Sequence, residues 1–179
     1  LKSSVERLGL DGEYYKQFQG ADHLSVTATF KPSRFERSTG LEGTNREASL
    51  GNLLAFGRYR LESNLSSNLF EQEDLRSRRF ESDQFIWRER LDVQLPAGFR
   101  GELAYRHQKG ENRFPDASAG EARVISNLTR NLHALLSHQL FESLTSSYRF
   151  SRNEQDSAAG ESVATGHQLA FAYDKTIPR

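Results

Sequence analysis

Histidine and serine are the residues of this chain whose chemistry could build a catalytic or metal site. The five histidines are His23, His107, His133, His138 and His167. None stands in an H-E-x-x-H motif, and His133 and His138 are five residues apart, which places them on opposite sides of a strand. The serines lack a G-x-S-x-G motif, so no nucleophile elbow is indicated. We therefore expect no metal site, no cofactor and no enzyme activity.

The composition excludes further classes of function. The chain has 179 residues and no cysteine, so it can form no disulfide, no thiolate metal site and no covalent haem attachment. Its 24 basic and 24 acidic residues balance, which leaves no overall field for nucleic acid. No stretch approaches the roughly 20 apolar residues that a transmembrane helix needs. A transmembrane β-barrel stays compatible with this polar composition, because the interior and the loops of a barrel are polar.

Arginines with interspersed carboxylates form the most informative polar pattern. They recur at every second position, and alternate side chains of a strand share one face. In a pore, such arginines favour anions. If they pair with acidic residues across neighbouring strands, they merely line a wet interior, and a third interpretation is contact with a protein inside. The candidate pore-lining residues are Arg58, Arg60, Arg88, Arg90, Asp92, Arg100, Glu102 and Arg106.

Residues 88–108, RERLDVQLPAGFRGELAYRHQ, show the elements that must position these side chains. Two segments with apolar and polar side chains in alternation flank Pro96–Gly98. A period of two predicts a strand with two unlike faces, and Pro-Ala-Gly predicts a tight turn. The apolar positions of this hairpin and its equivalents are the candidate lipid-facing residues: Leu24, Val26, Leu91, Val93, Leu95, Leu103, Tyr105, Leu132, Leu136, Leu169 and Phe171.

The same alternation predicts roughly nine long strands in up-and-down hairpins. They span residues 5–18, 23–30, 49–61, 65–73, 81–95, 99–109, 122–140, 144–152 and 164–175. Tight turns are predicted at residues 19–22, 62–64, 96–98 and 141–143, and long polar loops at 38–47, 74–79, 110–120 and 153–162. Turns at one end and loops at the other indicate an all-β, antiparallel transmembrane β-barrel with short periplasmic turns and long polar extracellular loops. The odd strand number indicates that residues 1–179 are a single region of a larger barrel.

A soluble antiparallel β-sandwich with a binding or structural role is the alternative. Its strands alternate too, because each sheet buries one face. Two charges favour it, since Glu89 and Arg130 fall on the apolar face. A lipid-facing Arg costs up to roughly 2–4 kcal/mol at the bilayer midplane, Glu costs less, and both cost little near the interface. Arg130 fits near the outer interface, whereas Glu89 requires a bulge, a neighbouring protein or a thin apolar band.

Two hairpins carry a resemblance to known proteins. RLDVQLPAGFRGELAYRHQKGENR and LLSHQLFESLTSSYRFSRNEQDS resemble hairpins of Gram-negative outer-membrane β-barrels, in particular the porin-like sheaths of multihaem cytochrome conduits and related uncharacterised barrels. The resemblance covers most of the chain as a pattern, and the N-terminal C-x-x-C of one branch of the sheath family is absent here. It implies location in the bacterial outer membrane, contact with lipid, and passive function as a solute channel or as a sheath. A sheath implies a periplasmic or extracellular protein partner, such as a multihaem cytochrome.

Overall fold

The chain forms one antiparallel sheet in a computed structural model that describes residues 3–20, 22–37, 41–73, 78–115, 123–141 and 144–173. Its strands are β1 Ser3–Arg7, β2 Leu10–Gln17, β3 His23–Arg37, β4 Leu41–Phe56, β5 Tyr59–Glu73, β6 Arg79–Gln94, β7 Phe99–Phe114, β8 Arg123–Phe141, β9 Leu144–Ser157 and β10 Gly160–Tyr173. From β3 onwards, strands that are neighbours in the chain are neighbours in the sheet. The prediction of an all-β, antiparallel, up-and-down fold is confirmed.

β1 and β2 together form one edge of the sheet. Both pair with β3 in one continuous register. The interruption between them lies opposite Pro32. The Leu8 N–H donates a hydrogen bond to the Pro32 carbonyl (3.1 Å), but Pro32 has no N–H with which to donate a second hydrogen bond to the edge strand. The break in pairing that this proline causes therefore falls on the edge strand. Because β1 and β2 share one edge position, the sheet is nine strands wide. At the other edge, the described part of β10 pairs only with β9, so the sheet is open.

The sheet is a single layer. Among the described residues no apolar side chain is fully buried. The accessible surface is 13434 Å², about one and a half times the roughly 8,800 Å² of a compact monomer of this mass. The second sheet that a sandwich needs is not found among the described strands. These residues also contain no helix long and apolar enough to cross a membrane.

Several connections are shorter than the sequence pattern predicts. Residues 41–47 and 110–114, predicted as loop, continue β4 and β7, and only two residues join β9 to β10. The prediction of long polar loops at these places is wrong. Their polar side chains belong to strands because they pair across the sheet, as Arg34 does with Glu42 at 3.3 Å. Residues 38–40, 74–77, 116–122 and 142–143, which include parts of the predicted loops and one turn, lie outside the described residues.

The turn between β4 and β5 also lies earlier than predicted. Gly57 and Arg58 form a two-residue turn with Phe56 opposite Tyr59, and residues 62–64 lie inside β5. Gly57 has φ of 56°, and its N–H donates to Asp22 Oδ1 at 2.7 Å. The alternating pattern hid the turn, because polar and apolar residues continue through it without a break. The turns predicted at residues 19–22 and 96–98 are confirmed as far as they are described.

Candidate functional site: the two faces of the sheet

One face of the sheet is concave and polar across β3 to β7. A cavity of about 510 Å³ opens on it, lined by residues of all five strands. We call this side the concave face. Alternation and direct pairing place seven of the eight candidate pore-lining residues on it: Arg60, Arg88, Arg90, Asp92, Arg100, Glu102 and Arg106. The placement of Arg58 on this face is wrong, because Arg58 lies in the turn between β4 and β5.

Two arginines that have no carboxylate partner among the described residues face each other at the cavity. Arg88 and Arg106 are directly paired across β6 and β7, an arrangement in which like charges repel. Neither forms an ion pair with another described residue, and the Arg106 guanidinium donates to Gln108 Oε1 at 2.7 Å. Asn64 and Asn131 flank the two arginines in register. This arginine pair therefore holds two uncompensated positive charges on the concave face.

Two other arginines of the same face, Arg90 and Arg60, are neutralised by their neighbours, whereas Arg100 forms no ion pair with a described residue. The Arg90 guanidinium lies 3.1 Å from the Asp92 carboxylate and 3.2 Å from that of Glu102. Arg60 pairs with Glu62 at 2.6 Å. Two of the three interpretations that the sequence left open thus concern different residues. Arg90 and Arg60 belong to ion pairs, whereas Arg88 and Arg106 carry positive charge without a carboxylate partner among the described residues.

The opposite side, the convex face, carries an apolar band. Alternation and pairing place ten of the eleven candidate lipid-facing residues on it: Leu24, Val26, Leu91, Val93, Leu103, Tyr105, Leu132, Leu136, Leu169 and Phe171. The exception is Leu95, which lies after the end of β6. No other part of the described chain covers the band, since Leu103 is 45% and Leu169 65% exposed.

The limit of the apolar band crosses the strands obliquely. The turn end of the sheet is the end that carries the turns at residues 57–58 and 96–98. Counted from this end, the first charged residue on the convex face is Arg34 on β3 and Arg152 on β9. The pairings place Arg152 level with Val26, so from β3 to β9 the limit shifts by eight residues over six strand steps, most of it between β6 and β9. On β10 the limit returns to Glu161, opposite Asp156 and four residues beyond Arg152. On the intervening strands the limit is marked by Arg46, Glu71, Asp83, Lys109 and Arg130, with Glu89 as an exception inside the band.

This slope has a geometric meaning. Eight residues over six steps is about 4 Å per strand, given a rise of roughly 3.3 Å per residue, and neighbouring strands lie about 4.8 Å apart. For the limit of the band to run parallel to a flat layer from β3 to β9, the strands must be tilted by roughly 40° from the normal of that layer. Strands of transmembrane barrels are tilted by about 35–45°.

Beyond the band the convex face becomes charged. A chain of ion pairs joins β5, β6 and β7 there, with N···O distances of 3.2 Å for Arg79–Glu71, 2.7 Å for Arg79–Glu81, 3.4 Å for Arg113–Glu81 and 2.8 Å for Arg113–Glu111. A side-chain hydrogen bond and the charge of Glu111 raise the pKa of Arg113, with a smaller contribution from Glu81. The charged region begins where the apolar band ends, so the convex face has a sharp polar boundary.

At the same end of the sheet the concave face carries a row of aromatic rings, formed by Phe35, Phe70, Phe80 and Phe114. Consecutive ring centroids lie 5.9, 6.1 and 5.2 Å apart. Gly43, opposite Phe35, makes room for this phenylalanine row, since a Cβ there would overlap the Phe35 ring. The row was not evident from the sequence, because residues 38–47 and 74–79 have the composition of loops and hide the register between the flanking strands.

The histidines do not assemble into a site among the described residues. His133 lies on the concave face and His138 on the convex face, as their spacing predicts. His138 stacks on Phe99 with ring centroids 3.8 Å apart, and its Nε2 lies 2.9 Å from the Ala97 carbonyl oxygen. The described residues contain no group of three or more side chains suited to holding a metal ion.

Comparison with protein families, curated proteins and solved structures finds no match to this chain. The fold and the chemistry of its two faces are therefore the observations from which a function can be argued. The arginine pair on the concave face and the apolar band on the convex face are the two features to explain.

Proposed function

We propose that the chain is part of a transmembrane β-barrel of the bacterial outer membrane and acts as a passive channel that favours anions. The observation that carries this proposal is the oblique limit of the apolar band. A bilayer is a flat apolar layer, so tilted strands that cross it need apolar residues whose positions shift from strand to strand. The uncovered convex face would contact lipid, and the concave face would line the lumen.

The width of the band supports the same assignment. On β6 it runs from Phe85 to Val93, a distance of about 26 Å along the strand. With a tilt of roughly 40°, that length spans about 20 Å of the layer, close to the roughly 25 Å of an outer-membrane barrel. Arg130 marks the limit of the band on β8, where a charge reaches the interface, and it lies 3.4 Å from Glu154.

The mechanism is insulation combined with an electrostatic filter. Strand pairing satisfies the backbone inside the bilayer, and the proposal requires the edges formed by β1–β2 and by β10 to pair with further strands. Solutes would pass along the concave face, where Arg88 and Arg106 raise the local concentration of anions. The ion pairs around Arg90 and Arg60 would hydrate the lumen, and their two arginines and three carboxylates together carry one net negative charge.

Two arginine substitutions on the convex face test the membrane assignment. Leu103 lies in the middle of the apolar band and is 45% exposed, whereas Val124 lies beyond it and is 52% exposed. In lipid, Leu103→Arg should lower the free energy of unfolding by roughly 2–4 kcal/mol and Val124→Arg by less than about 1 kcal/mol. The measurement is denaturant unfolding in vesicles, followed by heat-modifiable migration on gels.

The outcome separates a barrel from a water-exposed sheet, because the two side chains are about equally exposed to whatever surrounds the protein. Equal effects of the two substitutions, or full extraction of the wild-type protein without detergent, would overturn the proposal.

A sheath around a protein partner is the second candidate, and the phenylalanine row favours it. Apolar rings on an otherwise polar concave face offer a surface that a protein inside the lumen could cover. If the partner is a multihaem cytochrome, haem absorbance should copurify with the wild-type barrel. The Phe80→Ser variant should lose this absorbance, because the partner no longer binds. Absence of any haem absorbance in material purified from the native host would exclude a haem-containing partner.

A further inference from the structure

The arginine pair belongs to a straight line of polar positions across the concave face, which we call the polar row. Direct pairing from β3 to β8 joins Thr27, Gly51, Asn64, Arg88, Arg106 and Asn131. Apart from the hydrogen bond between Arg106 and Gln108, no side chain of the polar row bonds to another described residue. The polar row therefore presents hydrogen-bonding groups that the described part of the chain leaves unused.

Gly51 opens a recess in the floor of the cavity beside these groups. A Cβ at this position would lie 2.9 Å from Thr27 Oγ1 and 3.5 Å from Asn64 Nδ2, so a larger residue would fill the recess. The Thr27 hydroxyl and the Asn64 amide thus border an open space above the backbone of β4. Both groups donate and accept hydrogen bonds, so they suit the hydroxyl groups of a solute.

The charge around the cavity matches a solute with a single negative charge. On β5, β6 and β7, four arginines and three carboxylates share the concave face at the level of the polar row and the two levels next to it towards the turn end. They are Arg60, Arg88, Arg90, Arg106, Glu62, Asp92 and Glu102. One net positive charge remains, and it lies at the arginine pair because Arg60 and Arg90 are in ion pairs. Guanidinium groups bind carboxylates with two parallel hydrogen bonds.

We propose that this cavity binds sugar acids, which are carboxylates with several hydroxyl groups, during their passage through the channel. The carboxylate binds between Arg88 and Arg106, and the hydroxyl groups bond to Asn64 and enter the recess at Gly51. Asn64 lies one and a half strand spacings, about 7 Å, from the middle of the arginine pair. A six-carbon sugar acid has about this length, given carbon–carbon bonds of about 1.5 Å. This inference rests on the proposed channel function.

Titration of the complete barrel in detergent with D-glucuronate tests the site independently of conductance. Ligand-detected NMR should give a dissociation constant of about 1 mM, because the site exchanges hydrogen bonds to water for hydrogen bonds to the solute. Acetate lacks the hydroxyl groups, and glucose lacks the carboxylate. Each of these two compounds should bind at least tenfold more weakly than glucuronate.

Gly51→Ala and Gly166→Ala are a matched pair of variants. Each adds a Cβ at 2.9 Å from a hydroxyl oxygen on the concave face, Thr27 Oγ1 or Ser151 Oγ, but Gly166 lies on β10 and outside the cavity. Gly51→Ala should weaken glucuronate binding roughly fivefold to tenfold, and Gly166→Ala should leave it unaltered. Because neither substitution changes a charge, both variants should keep the anion preference of the wild-type conductance.

Arg88→Lys separates the geometry of the site from its charge. Lysine keeps the positive charge but lacks the planar fork of donors that holds a carboxylate. Glucuronate should therefore bind roughly fivefold more weakly to this variant, while the chloride-to-potassium permeability ratio in planar bilayers stays unaltered.

The sugar-acid site is refuted if glucuronate binds no better than acetate, or if Gly51→Ala and Gly166→Ala bind it equally well. Either result, obtained with an anion-selective wild-type conductance, leaves the channel proposal in place. Failure of the channel proposal is visible separately, as a wild-type conductance without preference for anions.

Discussion

At the scale of single residues, neighbours across the strands decide what each arginine can do. Arg88 and Arg90 occupy equivalent positions of one alternating pattern. Arg90 faces Asp92 and Glu102, whereas Arg88 faces Arg106. The first arrangement carries one net negative charge, because one arginine meets two carboxylates, and the second concentrates positive charge at a cavity. We therefore place the selectivity of the proposed channel at the arginine pair rather than along the whole arginine pattern.

Neutralising one member of the arginine pair should weaken the preference for anions. For Arg88→Gln we expect the chloride-to-potassium permeability ratio to fall roughly twofold to fivefold, because a unit charge about 4 Å away contributes about 1 kcal/mol in water. Reversal potentials in planar bilayers under a salt gradient measure this ratio. Lys109→Gln makes the same charge change on the convex face and should leave the ratio unaltered. An equal change in both variants would show that net charge alone sets selectivity.

The sequence predicts the faces of these residues but not their partners. Alternation alone places Arg60, Arg88, Arg90, Arg100 and Arg106 on the polar side, because side chains of a strand have a period of two. Whether an arginine meets a carboxylate or another arginine depends on the register between strands that are far apart in sequence. A single sequence does not contain that register, so the arginine pair could not be singled out in advance.

At the scale of secondary-structure elements, turns that require left-handed backbone fix the hairpins. Gly57 of the β4–β5 turn has φ of 56°, and its N–H is held by the Asp22 carboxylate from the adjacent turn. Residues with a Cβ adopt this conformation at a cost of about 1–2 kcal/mol. The turn therefore depends on glycine, whereas the β6–β7 turn tolerates Ala97 at φ of 58°.

A Gly57→Ala variant should lose roughly 1–2 kcal/mol of unfolding free energy. The control is Gly12→Ala in β2, where a Cβ meets no atom within 4 Å and the backbone is not left-handed, so the loss should stay below about 0.5 kcal/mol. Equilibrium unfolding of both variants in the same detergent makes the comparison. Similar losses in the two variants would contradict a special requirement at Gly57.

Element boundaries were the least predictable part of the fold, for a definite physical reason. Polar stretches such as residues 41–47 and 153–157 look like loops when they are judged by composition. In the sheet they are strand, because ion pairs such as Arg34–Glu42 satisfy them across neighbouring strands. Long-range pairing thus overrode local composition, whereas the turn at Pro96–Gly98 was predictable from its own residues.

At the scale of the whole molecule, the apolar side chains lie on opposite faces of the sheet at the two ends of the strands. In the zone of the apolar band, the convex face is apolar and the concave face polar. At the other end of the strands, ion pairs occupy the convex face and phenylalanines the concave one. This arrangement suits a barrel that emerges from the bilayer, where the outside meets polar surroundings and the inside becomes more apolar.

The up-and-down topology has a mechanical consequence. From β4 to β10 each strand is bonded only to the strands before and after it in the chain, so no distant segment among the described residues locks these hairpins in place. Pulled from its C-terminal end, the chain should therefore unravel hairpin by hairpin rather than in one rupture. A hairpin such as residues 123–157 would release a contour length of roughly 12 nm. Force spectroscopy in a supported bilayer should show a sawtooth with steps of that size, and a single large step would mean that contacts outside this sheet hold the strands together.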